Sequence, residues 1–267
     1  MPVRKQPKKV PVFTSYEMKL AELCATACWE GIDFRTNKIA EVSDQVLLNN
    51  FYVSFQRLVK SPTLPSNITE QQLRQLIRVA DVKAMFRSAL ELDFELGIDG
   101  ITNLIVPIYK ASTDKKPSIS RFNAGVKATK ELSLSWIDNP NPSLNGNYRV
   151  PFTSRILFFC VPEMMIFNFS NPLAEKLNLQ VRPQAALPYF NELMFNGLIA
   201  NRALLNQLKF PDRSALSLVN WNKISKTDWW QRRVLDIAML IKFGVSVPHR
   251  SFVNEARNQT IGSGATP

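Results

Sequence analysis

The chain has 267 residues, enough to bury a full core as one large domain or two small ones. Its 45% hydrophobic and 21% charged content excludes disordered and fibrous classes. The absence of any apolar run near the ~18 residues that span a bilayer, together with the polar N-terminus MPVRKQPKKVP, predicts a cytoplasmic protein with no membrane partner.

Lys and Arg number 33 against 22 Asp and Glu, and the resulting charge of +11 makes a polyanion, DNA foremost, the expected partner. Residues 1–12 carry Arg4, Lys5, Lys8 and Lys9 among prolines and read as a flexible basic arm. A single helical domain, with room for two lobes, is expected over residues 13–253, and residues 254–267, ending IGSGATP, read as a disordered tail. Helices are predicted near 15–30 and 42–59. After the break at Pro62 and Pro65, Thr69 and Gln72 form a capping-box pattern ahead of a stripe of Leu73, Leu76, Ile77, Ala80 and Ala84. Further helices are predicted near 118–135, 152–160 and 189–208. After a third break at Pro211 to Arg213, Thr227 is the expected N-cap of a last helix with Trp230, Val234, Ile237 and Ile241 on one stripe and Gly244 at its end. The fold class is mainly α.

Several chemistries find no material. No P-loop, G-x-S-x-G elbow or H-E-x-x-H occurs, and a single histidine, His249, cannot supply most histidine-based sets. Cys24 and Cys28 have metal-compatible spacing but lack two further ligands beyond the scattered Cys160 and His249, so they read as small buried side chains; no metal and no cofactor is expected. Three cysteines also fall short of a paired disulfide framework, in keeping with a reducing compartment. Glu91, Asp93 and Glu95 alternate too tightly to share a helix face as a two-metal site.

The richest stretch is LNGNYRVPFTSRILFFCVPEMMIFNFSNPL, residues 144–173. A turn-rich segment from Asp138 runs into a Gly-centred hairpin, Leu144-Asn145-Gly146-Asn147-Tyr148. An amphipathic helix then offers Phe152, Ile156, Phe159 and Cys160 for burial, and an apolar strand-like segment follows that carries Asn168 between Phe167 and Phe169. Gly146 supplies freedom for positive φ, Asn145 to Tyr148 supply amides, and Arg149 and Arg155 supply charge, which together suit a DNA phosphate.

This order resembles the helix–hairpin–helix DNA glycosylases of the 8-oxoguanine DNA glycosylase fold, as found in bacterial standalone proteins, some of which act in defence against phage. The resemblance is strong over about thirty residues. It implies a helical scaffold whose hairpin grips the DNA backbone, a flipped base, no cofactor, and excision of a modified base such as glucosylated hydroxymethylcytosine. No obligate protein partner is implied.

Two departures refine that expectation. Where bifunctional members carry a nucleophilic lysine, this chain has Arg149-Val150, and a protonated guanidinium cannot form a Schiff base, so a monofunctional enzyme without lyase activity is expected. Where the family carries an aspartate, this chain has Asn168. Asn168 can orient a water, Asp99 or Asp236 can take over as the carboxylate, or the protein binds DNA without cutting it. A flipped base needs an aromatic slot and amides, for which Trp136, Phe167, Asn220, Trp221, Trp229 and Trp230 are the candidates, with Arg232 and Arg233 facing the groove. A basic surface that meets an acidic protein is a further reading.

Overall fold

A computed structural model describes residues 9–40, 43–60, 100–112, 118–135, 149–179, 182–211 and 224–262. The predicted helix around Leu73, the hairpin residues Asn145, Gly146, Asn147 and Tyr148, and Asp99, Trp136, Asn220 and Trp221 lie outside these residues.

The first helix, α1 (Ser15–Glu30), begins with a capping box. Thr14 Oγ1 accepts from Glu17 N at 3.2 Å while Glu17 Oε2 accepts from Thr14 N at 2.8 Å, so two orphan amides are satisfied at once. Gly31, at φ +86°, ends it in the left-handed conformation that a side chain resists. A two-residue hairpin follows, β1 (Ile32–Asp33) antiparallel to β2 (Lys38–Ile39).

The helices that follow are α2 (Asp44–Lys60), α3 (Val106–Ala111) after a π-helical turn at Gly100–Ile105, α4 (Ile119–Ser135) and α5 (Arg149–Cys160). They continue with α6 (Asn171–Lys176), α7 (Pro183–Ala200), α8 (Arg202–Leu205), α9 (Trp229–Lys242) and α10 (Arg250–Gly262). The described residues are thus mainly helical, and none of their helices is long and apolar enough to cross a membrane.

Helix α1 lies against α9 and α10, α2 packs on α5, and α4 fits between α5 and α7. One continuous apolar core joins them. An aromatic cluster sits at its centre, where Trp29 meets Phe210, Trp229 and Trp230 edge-on with ring centroids 5.2, 6.1 and 6.3 Å away.

Three expectations change. Residues 254–262 belong to α10 and not to a disordered tail, because Phe252 and Ala256, one turn apart, are buried among the core residues and give the helix an inward face. The predicted 189–208 helix begins earlier, at Pro183, and breaks at Asn201. That residue's amide is committed elsewhere: Oδ1 accepts from Phe13 N at 2.8 Å and Nδ2 donates to Pro11 O at 3.1 Å, which fastens the end of the segment expected to be a free arm. The N-cap of α9 is Asp228 and not Thr227; the threonine hydroxyl still accepts from Trp229 N at 3.3 Å.

One close approach fixes how α4 meets the loop after α5. A Cβ on Gly125 would stand 2.2 Å from the carbonyl oxygen of Met165 and 2.8 Å from its carbon, both backbone atoms that cannot swing aside. Gly125→Ala is expected to lower stability by about 1–3 kcal/mol or more, read as a fall in the thermal unfolding midpoint. An unchanged midpoint would show that α4 can draw back without loss.

Candidate active site

After α5 the chain turns at Val161–Met164, where Met164 N donates to Val161 O at 2.9 Å, and continues to Ser170 without regular secondary structure. The carbonyls of this segment therefore need other donors, and two buried arginines supply them. Arg232 donates from Nη2 to Pro162 O at 2.6 Å and from Nη1 to Ile166 O at 2.5 Å. Arg121 donates from Nε to Glu163 O at 2.9 Å, and its Nη2 reaches the same carbonyl. Asp228 pairs with both, with Oδ1 at 3.0 Å from Arg232 Nε and 3.2 Å from Arg121 Nη2, and Oδ2 at 3.2 Å from Arg121 Nη1. Ser154 Oγ accepts from Phe169 N at 2.9 Å and secures the far end. The segment is thus an irregular loop clamped by an Arg-Asp-Arg set.

That arrangement corrects the expectation for Arg232. It is 0% exposed, its guanidinium lies 5.4 Å from the Phe158 ring centroid, and it faces the core and not a DNA groove. Burial lowers its pKa and Asp228 opposes the shift. Spacing of four residues puts Asp228 and Arg232 on one face of α9, and the carbonyls 66 and 70 residues away are what draw that face inward. Arg121, which sequence reasoning missed, lies on the buried face of α4 with Gly125, Ala128 and Leu132.

The clamp presents Asn168, half-buried, to α9. Asn168 Nδ2 donates to Asp236 Oδ2 at 3.3 Å, so two residues named as alternative catalytic groups stand together. Arg233 Nη1 donates to the same Asp236 oxygen at 3.2 Å and its Nε donates to Asp44 Oδ2 at 2.6 Å. Arg155 is exposed on α5 and exerts its positive charge on Asp236. Asn168 Oδ1 and Asp236 Oδ1 are buried without a hydrogen-bond partner among the described residues.

Electrostatics set the Asp236 carboxyl apart. Burial pushes its pKa up to about 6, outweighing Arg233, the Asn168 amide and Arg155, which pull it down, while Asp44 adds to the rise. Burial also works against the Arg233 charge, but Asp44 foremost, with Cys28 and Asp236 behind it, holds its pKa above the ordinary value. Arg233 therefore serves two carboxylates and is not a free DNA contact.

The expected base slot does not form from the tryptophans on α9. Trp229 is 0% exposed and donates from Nε1 to Phe158 O at 3.0 Å; Trp230 is buried in the aromatic cluster. Phe167 is buried in the core as well. All three follow the apolar face of their own segment, and the charged neighbours that suggested a groove turn inward with them. A groove of about 690 Å³ between α4 and α7, lined by Phe122, Val126, Lys130, Leu134 and Pro188 among others, includes none of the site residues.

Arg149, the first residue of α5, is largely buried, and its Nε and Nη1 have no hydrogen-bond partner among the described residues. Burial pushes the thiols of Cys24 and Cys28 up to about 12 and about 11, and that of Cys160 up further, so all three stay neutral. Among the described residues no group of His, Cys, Asp and Glu is arranged to hold a metal ion. Comparison of the chain with protein-family models, with curated proteins and with solved structures found no match.

Proposed function

We propose that the protein is a monofunctional DNA glycosylase of the helix–hairpin–helix type, which excises a modified base and leaves an abasic site. The observation that carries this reading is the Asn168–Asp236 contact. Asp236, on α9, puts a carboxylate within hydrogen-bond reach of Asn168, the residue at the position where the resembled family carries an aspartate.

In the reaction, the buried Asp236 carboxylate takes a proton from a water that the Asn168 amide orients. The water oxygen bonds to the sugar carbon as the glycosidic bond breaks, and the bonding pair leaves with the base. A carboxyl raised to about 6 suits the task, since it is mostly ionised at neutral pH yet more basic than an ordinary aspartate. In the resemblance, Arg149-Val150 takes the region where lyases carry an amine nucleophile, which supports hydrolysis without strand cleavage. The +11 charge supports a DNA partner, and the phage-defence role with glucosylated hydroxymethylcytosine rests on family likeness.

One observation favours a second reading, a DNA-binding protein on the same scaffold that does not cut. Asp236 is 4% exposed and already shares an oxygen with Arg233. The two readings separate on product. The purified protein is incubated with phage DNA bearing hydroxymethylated or glucosylated cytosine and with unmodified DNA, and released bases are measured by mass spectrometry beside abasic sites. Release from one modified DNA, with binding that weakens steeply as salt rises, is the expected result. Salt-sensitive binding without release from these DNAs, or from DNA with oxidised or deaminated bases, would favour the non-cutting protein. Binding indifferent to salt would point to a protein partner.

A further inference from the structure

Two buried carboxylates share one guanidinium behind Asn168. Asp44 accepts from Arg233 Nε at 2.6 Å and Asp236 from Nη1 at 3.2 Å. Each aspartate is 4% exposed, so their charges meet with little solvent between them. Asp44 is the first residue of α2, where a helix favours negative charge, and beside it Ser43 Oγ accepts from Val46 N at 3.1 Å to cap that helix. The tighter contact is on the Nε side. Asp236 receives only one Nη1 contact, on Oδ2, and its Oδ1 has no hydrogen-bond partner among the described residues.

We propose that Asp44 is a positioning residue for Asp236: by anchoring Arg233 through Nε it keeps the guanidinium from closing on both oxygens of Asp236, and so leaves Oδ1 able to take a proton. This rests on the reading of Asp236 as the base. The groups that act on Asp236 are Arg233 on its own helix, the Asn168 amide from the clamped segment, Arg155 from α5 and Asp44 from α2; the neutral Cys28 thiol of α1 neighbours Arg233. Of these, Asp44 is the one carboxyl group. Its removal acts twice in one direction, because Arg233 is freed to pair with Asp236 and a like charge disappears.

The test is a carbon-13 NMR titration of the Asp236 carboxyl in the full chain, assigned by its loss in Asp236→Asn. In Asp44→Asn the midpoint is expected to fall by about one pH unit or more. Asp44→Ser, which keeps a side chain suited to a helix start, makes the same prediction if the first variant does not fold. A midpoint equal to that of the unaltered protein would overturn the proposal. The titration does not depend on turnover. A shifted midpoint in a protein that releases no base would leave the Asp44 coupling standing and sink the glycosylase reading, whereas base release with an unmoved midpoint would do the reverse.

Discussion

Asp228→Ala is expected to destabilise the protein by about 3–5 kcal/mol, because it leaves two buried guanidinium groups without their shared counter-ion. Arg121 and Arg232 are 1% and 0% exposed, so water cannot replace the lost carboxylate without opening the core. For a chain of this size that cost corresponds to a drop in unfolding midpoint of roughly 6–20 °C. The loss should exceed what either arginine's bonds to the loop contribute singly, since one deletion releases both. Thermal unfolding followed by circular dichroism measures it. A change under about 1 kcal/mol would mean that the clamp is held by its carbonyl bonds alone and that Asp228 is replaceable.

Asp236→Asn is expected to reduce base release by about 10²–10⁴-fold while raising stability at neutral pH. The sign of the second effect follows from its titration. The folded carboxyl has a pKa of about 6 against an ordinary 3.8, so between these values the folded state binds more protons than the unfolded one. Stability therefore falls as pH rises from about 4 to 6, and above that the full penalty of an ionised buried group remains, on the order of 2–3 kcal/mol. An asparagine carries no such penalty and retains an oxygen for Arg233 and Asn168. Denaturant unfolding of both proteins from pH 4 to 8 tests this: the two curves should approach each other toward pH 4 and separate toward pH 8. A variant less stable than the parent at pH 8 would identify Asp236 as a structural ion-pair partner.

Helices whose start and stop are local signals were legible before the structure. The stripe from Trp230 to Ile241, with Gly244 at φ +66° behind it, needed only periodicity and one permissive residue. Residues whose role is set from a distance were not. Arg232 reads as a surface cation beside Trp229 and Trp230 until the carbonyls of Pro162 and Ile166 are brought to it, and no local pattern announces a loop held by buried arginines. Asn168 and Asp236 were both named, but as rivals. Their 68-residue separation conceals that they are neighbours, and Asp44 enters only through Arg233. The tail beyond residue 253 misled for a related reason: its polar composition hides the continuation of α10, whose inward residues Phe252 and Ala256 are buried as that helix packs on α1.

The most direct measurement is single-turnover base release from glucosylated hydroxymethylcytosine DNA by the unaltered protein and by Asp236→Asn, each at a concentration that saturates the DNA. Release and abasic sites are expected from the first, loss of at least about a hundredfold in the second, and equal DNA affinity for both. Equal rates in the two proteins would remove Asp236 from the chemistry, and no release by either from any modified or damaged DNA would contradict the glycosylase reading itself.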